Sequence, residues 1–484
     1  MPEPTTTTAT ITADPPQLRG QMGPIELALT VVAFAAPLAS VVGVLPLVIQ
    51  FGGVGAPLAF AAATLMLLLF SVGYTVMSRY LPNPGAFYAY ISAGVGQTFG
   101  LAASFMAILG YLMIGLGITI FFGIVAVDLV ANTLHGPALP WSVYSLLLVV
   151  IVGILGYLRI DLSAKVLSFV MVLEIGIVLI FDALVGRQGG PEGLSTASFH
   201  WGALDSSVVG VCVLFAVITF LGFEATAIFR EESRDPRKTI PRATYLSVCF
   251  IGAFYVLTTW LLIIAYGDSK AQAAAAANPT GMFTSAMVTY AGHWGGDALS
   301  VLVVSSAFAA VLSCQNIIAR YCHSLGVDEA LPAFLGHVHP KHGSPYVASL
   351  FLSAVLAIGV LVFSGSDPNV TYAWMAGAGG FPLLFLMLLT SISVIVFFSK
   401  KRKDIRDVSV WQAFVAPVLA TIGLAVAVYL AATNFVDLTG GNVKTAIILQ
   451  IVIWAIFVSG VLLALFYKAK RPNIYARIGR QLLN

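Results

Sequence analysis

The chain has 484 residues, 59% of them hydrophobic and only 9% charged, against roughly 25% charged residues in soluble globular proteins. With a mean hydropathy of +0.95, that composition excludes a soluble enzyme or a nucleic-acid binder and describes a polytopic membrane protein. The formal net charge of +3 is too small to carry meaning as a total; where the charges sit carries it.

In chain order, the first 20 residues are rich in Thr and Pro and lack an apolar core. They read as part of a disordered tail over residues 1–22 and not as a signal peptide. A bilayer core needs about 20 mostly apolar residues per helix. Twelve such stretches follow, at roughly 25–50, 56–79, 98–131, 141–158, 164–186, 207–229, 243–266, 297–322, 346–364, 371–398, 411–432 and 445–467. Twelve spans return both termini to one side. With that side cytoplasmic, the inner segments hold 21 of the 24 basic residues, and only Arg187, Lys270 and Lys444 lie outside. Flipping the chain or losing one span destroys the asymmetry, so both termini are expected in the cytoplasm. Cys212, Cys249, Cys314 and Cys322 fall in or at the ends of apolar segments without ligand spacing. They read as buried, inert thiols, with no disulfide framework, metal or cofactor.

The first span, AFAAPLASVVGVLP, sets Pro37 and Pro46 nine residues apart with Ser40 and Gly43 between them. Each proline removes a donor and crowds the preceding turn, which predicts an interrupted helix; a simple proline kink is the alternative. Freed backbone is tolerated at membrane depth only where it lines a cavity or is buried in protein. Span 5 carries Glu174 near its centre, and span 6 places Thr219 and Gly222 shortly before Glu224. Ionisable residues inside spans are functional candidates by default. Asp128 and Asp182, near the outer ends of spans 3 and 5, read as interfacial. A break in span 1 and another five spans later is the pattern of an inverted-repeat transporter with its site between two five-helix halves. The halves would be residues 23–200 and 201–400, with spans 11 and 12 and a cytoplasmic tail in 401–484.

After span 6 comes GFEATAIFREESRDPRKTIPRA, residues 222–243. Gly222-Phe223-Glu224, Glu231-Glu232, Asp235-Pro236-Arg237-Lys238 and Ile240-Pro241-Arg242-Ala243 together resemble the signature of the amino acid–polyamine–organocation permeases. LPNPGAFYAYISAGVGQTFG (81–100) and ARYCHSLGVDEALPAFLGHVHPKHGSP (319–345) resemble further family segments at the matching span ends. The resemblance implies an all-α polytopic protein of the leucine-transporter (LeuT) type, a 5+5 inverted repeat plus two C-terminal helices. It also implies a permease that moves an amino acid or a related amine by alternating access. It places substrate at the unwound parts of spans 1 and 6: Ala39, Ser40, Val41, Val42 and Gly43 in the first, Ile218, Thr219, Phe220 and Leu221 in the second. Where the family has Gly-Ser-Gly, this chain has Ala39-Ser40-Val41. Two Cβ atoms narrow the backbone cradle for a substrate carboxylate, and a substrate amine without a carboxylate is the other reading. Phe220 matches an aromatic common at its place; core packing is its plainer explanation.

Several family members carry a lysine at the position of Glu174. A carboxyl or an amine can each carry a proton there, so Glu174 is the candidate for proton coupling, and Glu224 a weaker one; a structural hydrogen bond from Glu174 to span 1 or span 8 is the rival role. Ser305, Ser306 and Ser313 could offer hydroxyls to sodium, but such serines usually bond to their own helix. Glu231-Glu232 could pair with the basic cluster Arg234–Arg242 as an inward gate. The expected partners are a small amino acid or amine, protons and membrane lipids, with no nucleic acid, as a monomer or homodimer in the cell membrane. Uptake by symport and substrate exchange share this fold, so both stay open. With no nucleotide loop, paired metal ligands, soluble domain or filter sequence, a pump, an enzyme and a channel are disfavoured.

Overall fold

A computed structural model of the protein describes residues 22–81, 86–137, 139–158, 164–200, 202–224, 226, 233–403, 405, 407–438 and 442–479. The expectations for the tail up to residue 21, for the 82–85 part of the second family segment, for Glu231-Glu232, and for Arg159, Arg230, Arg406 and Arg480 lie outside the described residues. Among the described residues the architecture is all-helical, with one isolated bridge between Met22 and Ser233 and no strand.

Proline recurs in the first turn of these helices, where its missing N–H costs nothing and its φ suits the helix. It opens α1 (Pro24–Phe34), α2 (Pro37–Gly43), α3 (Leu45–Gly52) and α4 (Ala56–Met77). It does so again in α10 (Pro236–Tyr266), α12 (Pro279–Val327), α14 (Pro368–Lys401), α15 (Ala416–Thr433) and α18 (Pro472–Arg477). The side chains of Asn278 and Asp367 cap α12 and α14, and that of Asn442 caps α17 (Val443–Lys470), each meeting an N–H that the helix leaves unpaired. The other elements are α5 (Ala86–Gly94), α6 (Gln97–Asp128), α7 (Trp141–Leu158), α8 (Ala164–Gln188), α9 (Val209–Ile218), α11 (Ala271–Ala277), α13 (Tyr346–Phe363) and α16 (Phe435–Leu438).

Among the described residues, eleven helical stretches are long and apolar enough to cross a membrane. The sixth expected span does not qualify: its helix, α9, stops after 10 residues at Ile218. The eighth begins close to where it was expected: α12 is two helices joined at a kink at Gly292 (φ 75°), and its second part forms the span. One face of the protein carries the start of α1, where Arg234 N–H donates to Met22 O. The opposite face carries the end of α3, where Gln272 Nε2 donates to Gln50 O, and the end of α8, where Tyr290 Oη donates to Gly189 O and Ala265 O. Thus α1, α2 and α3 make one crossing in three pieces.

At the centre stands α6, packed on α12, α14 and α17. It meets α14 through Gly110 and Gly379, and a Cβ on Gly379 would lie 2.8 Å from Ile114 N. Small residues let two backbones approach this closely in an apolar solvent, where helix association depends on packing. Leu147, Val150, Ile151 and Ile154 on α7, and Ile447, Ile448 and Ile451 on α17, face outward, as lipid-facing helices do. All four cysteines are free. Cys249 is exposed on α10 rather than buried as expected, because an apolar segment has a lipid face as well as a core face.

Candidate functional site

The first span breaks at Ala35-Ala36. Helix α1 ends at Phe34, and Ala36 takes the left-handed conformation (φ 45°, ψ 67°), uncommon for a residue with a Cβ. The cause is local: Pro37 crowds the α conformation of the residue before it. A second, milder kink falls at Val44, two residues before Pro46. This corrects the sequence expectation. Ala39, Ser40, Val41, Val42 and Gly43 are not unwound; all five lie in α2, and the open backbone is a few residues earlier. The prolines begin helices, and the residues ahead of them break.

The first turn of α2 presents few donors. Pro37 has none, and Ser40 N–H already bonds Ala36 O at 3.1 Å. Ala39 N–H donates to Ser306 Oγ of α12 at 3.2 Å, and Ser306 Oγ donates in turn to Glu174 Oε2 of α8 at 2.9 Å. Leu38 N–H is a second partner of the same carboxyl. Glu174 is 4% exposed. A carboxyl therefore sits at the N-terminus of a half-helix, where the unpaired N–H groups and the helix dipole favour negative charge.

The sixth span breaks as the residues suggest. After α9, Thr219, Phe220 and Leu221 close tight turns by donating to Ala216 O, Val217 O and Ile218 O. Gly222 follows at φ 114°, a conformation that only glycine adopts at little cost. Phe220 is fully buried and meets the Tyr255 ring edge-on at 6.1 Å. Tyr255, on α10, also has its hydroxyl near Ser40 and within electrostatic reach of Glu174, without a hydrogen bond of good geometry. One tyrosine thus touches both broken spans. Thr219 spends its hydroxyl on Ala216 O, and Ile218 packs on α14 beside Gly380. On the other side of α2, Tyr372 stacks on Phe121 at 5.2 Å and lies against Gly43.

Glu224 belongs to a separate network. It is 3% exposed; Tyr111 Oη donates to its Oε1 at 2.6 Å and Gly222 N–H to its Oε2 at 2.9 Å, while Tyr74 Oη donates to its backbone oxygen at 2.9 Å. Tyr74 stacks on Tyr90 at 4.7 Å and packs against Phe70 and Phe223. Asp128 keeps partial exposure, with Asn132 as a hydrogen-bond partner. Asp182 does not behave as an interfacial group: it is 4% exposed and accepts from Thr258 Oγ1 at 2.9 Å, because α10 covers the side of α8 that the sequence left open. A groove of about 410 Å³ beside Glu26 and Ser168 opens at the face carrying the start of α1, a helix length from the break.

From the sequence Ser306 reads as a possible sodium ligand or a hydroxyl bonded to its own helix; its contact to Glu174 depends on how α12 faces α8. Leu38, Tyr111 and Tyr255 were missed. The signal for the tyrosines was present, a hydroxyl in mid-span at GYLMIG and AFYVLTTW, and their partners became visible only once the helices were packed.

Helices broken at membrane depth, with buried carboxyls held against the breaks, are an arrangement that membrane transporters use. Comparison with known proteins gives the family. The Amino acid permease profile matches residues 29–475, and the chain belongs to that family. It is 26% identical to the branched-chain amino acid permease BcaP of Bacillus subtilis over 394 residues, 77% of this chain and 79% of the relative. It is 26% identical to the histidine permease HisP of Lactococcus lactis over 391 residues, 77% of this chain and 80% of the relative. The low-affinity putrescine importer PlaP of Escherichia coli is 22% identical over 363 residues, 72% of this chain and 76% of the relative.

Proposed function

We propose that the protein is a secondary active transporter that carries an amino acid across the cell membrane by alternating access, driven by protons, with Glu174 as the proton carrier. The observation that carries the reading is the connection Glu174–Ser306–Ala39: a titratable group tied directly to the broken helix. Ionised, the carboxyl occupies the donors of the first turn of α2. Protonated, it accepts hydrogen bonds less strongly and releases Leu38 N–H and Ser306. The N-terminus of α2 then becomes available to a substrate carboxylate, beside Ser40 and against Phe220. Proton and substrate binding favour each other in this scheme, and by linkage that coupling is reciprocal.

The architecture proposed with it is twelve spans, with the chain through α9 and Glu224 as the sixth, arranged as inverted repeats over 23–200 and 201–400. Both termini face the cytoplasm, and the outward apolar faces of α7 and α17 meet lipid. In support, the two breaks fall in the first and sixth spans, and the basic residues divide 21 to 3 between the two sides.

A second reading is favoured by one specific observation. The donors of the first turn of α2 are already engaged by the protein's own side chains, and two Cβ-bearing residues, Ala39 and Val41, stand where the family has glycines. A substrate without a carboxylate, an amine or polyamine, would meet the carboxylate of Glu174 directly. Relatives named for branched-chain amino acids, histidine and putrescine supply the probes. Labelled L-leucine, L-histidine and putrescine are offered to proteoliposomes with and without an inward proton gradient. Gradient-dependent accumulation of leucine or histidine that Glu174→Gln abolishes is the expected result. Accumulation of putrescine alone selects the amine reading. Uptake that needs internal substrate and ignores the gradient makes the protein an exchanger and returns Glu174 to a structural role.

A further inference from the structure

Helix α8 carries a second buried carboxyl that this mechanism does not use. Asp182 lies eight residues beyond Glu174, about 12 Å nearer the face that carries the end of α8 and about 80° further around the helix. From there to Gln188, the last residue of α8, is about 9 Å. Its Oδ2 accepts from Thr258 Oγ1 at 2.9 Å; its Oδ1 has no partner among the described residues. Thr259 Oγ1, beside Thr258 on α10, is also buried without a partner. Three residues before Thr258 on the same helix is Tyr255, whose hydroxyl lies near Ser40 and within electrostatic reach of Glu174. The seam between α8 and α10 therefore holds Asp182, Thr258, Tyr255 and Glu174 in order of depth. Phe181 packs on Phe283 and Tyr290 and closes the side toward α12.

Among the described residues, no counter-charge faces Asp182 from the helices around α8. On the half of α10 that reaches Asp182 the titratable groups are Tyr255 and, nearer the surface, Tyr266, whose hydroxyl bonds Met282 O; Arg237, Lys238, Arg242, Tyr245 and Cys249 lie nine or more residues before Thr258, toward the opposite face. On α12, Tyr290 spends its hydroxyl on Gly189 O and Ala265 O, and His293 and Asp297 are exposed. Glu26 on α1 is exposed at the opposite face, and α2 has no titratable group. On α8 itself Arg187 is exposed. A buried carboxyl with a free oxygen and no cation in reach is suited to taking up and releasing a proton.

We propose that Asp182 is a second proton-binding group, which passes the coupled proton between the solution on its side of the membrane and Glu174 along the α8–α10 seam. This rests on the reading of Glu174 as the proton carrier. The step balances: one proton is bound at Asp182 Oδ1 from water and one is delivered to Glu174, with only O–H bonds made and broken. The hydroxyls of Thr258 and Tyr255 lie on the way.

The test uses the full chain reconstituted in liposomes and, first, a readout that needs no substrate: infrared difference spectra between acidic and alkaline buffer. Part of the wild-type protonated-carboxyl absorbance is expected to disappear in Asp182→Asn and a different part in Glu174→Gln, with Asp182→Glu restoring a band. A spectrum of Asp182→Asn equal to wild type overturns the proposal. If Glu174→Gln matches wild type while Asp182→Asn loses its band, the proton belongs to Asp182 and the reading of Glu174 fails. Should Asp182→Asn not fold, Thr258→Val removes the one hydrogen bond to Asp182; it must shift the band assigned to Asp182, and an unchanged spectrum overturns the proposal. Gradient-driven uptake of labelled L-leucine, L-histidine or putrescine by Asp182→Asn is expected to fall by an order of magnitude or more, with exchange of the same compound preserved. Equal loss of both overturns the relay role in favour of a structural one.

Discussion

Ser306→Ala is the substitution on which the geometry speaks most directly. The serine hydroxyl accepts Ala39 N–H at 3.2 Å and donates to Glu174 Oε2 at 2.9 Å, so one oxygen joins α2, α8 and α12. Alanine removes that oxygen and little else, and leaves almost no cavity. Hydrogen bonds between membrane helices measure about 0.6 kcal/mol on average and up to about 1.7, so two lost bonds set a floor near ~1 kcal/mol. A buried donor left unpaired adds its own cost, about 1–3 kcal/mol. The sum places the destabilisation at roughly 2–4 kcal/mol. Ser305 is the matched control: it donates only to Leu302 O of its own helix at 2.7 Å, and Ser305→Ala should stay within about 0.5 kcal/mol of wild type. The assay is denaturant unfolding in mixed micelles for both variants, followed by a double-mutant cycle of Ser306→Ala with Glu174→Gln. The cycle should show a coupling of about 0.6–1.7 kcal/mol. Equal costs for the two serines, or additive behaviour in the cycle, would refute the claim that Ser306 holds the carboxyl against the broken helix.

Tyr111→Phe removes the 2.6 Å donor to Glu224 and should destabilise the protein by about 0.6–1.7 kcal/mol, the range for hydrogen bonds between membrane helices; unfolding in micelles reads it, and a neutral result would mean that Glu224 is held by its own turn alone. Gly379→Val drives side-chain carbons toward Ile114 N and Gly110 O, where even a Cβ would lie 2.8 and 2.9 Å away. The α6–α14 pair must separate at a cost of about 1–3 kcal/mol, seen as a lower melting temperature. At the end of α12, burial pushes the Asp328 carboxyl up from 3.8 to about 6 while Arg477 holds it down. A carboxyl raised by folding takes up its proton more readily in the native state, so its contribution to stability is lost as pH climbs from about 4 to about 6 and is level above that. The pH profile of the melting temperature should flatten in Asp328→Asn, and in Arg477→Ala the fall should continue to higher pH; a profile unmoved by either change sinks the assignment.

Much of this protein is a local property of its sequence. A run of about 20 apolar residues has to be a helix in a bilayer, since no other conformation satisfies its backbone there. Twelve stretches follow from that alone, of which eleven are full-length helices among the described residues, and so do the places where proline and glycine interrupt them: Gly222 permits the sharp turn after α9, and Pro37 forces the break at Ala36. The position of that break was misjudged because proline acts on the residue before it, so the helix resumed where the family pattern suggested an opening. The presence of Glu174, Asp182 and Glu224 within spans was equally legible. For Glu174 the sequence named the helices, span 1 or span 8, without the residues, and for Asp182 and Glu224 it named no partner. Whether a carboxyl meets lipid, water or a hydroxyl depends on how each helix is rotated and what packs over it, and small residues such as Gly110 and Gly379 set this through contacts between distant parts of the chain. Only the assembled helices brought Ser306 and Leu38 to Glu174, Tyr111 to Glu224 and Thr258 to Asp182, turning three isolated acids into two anchored networks and one carboxyl with a free oxygen.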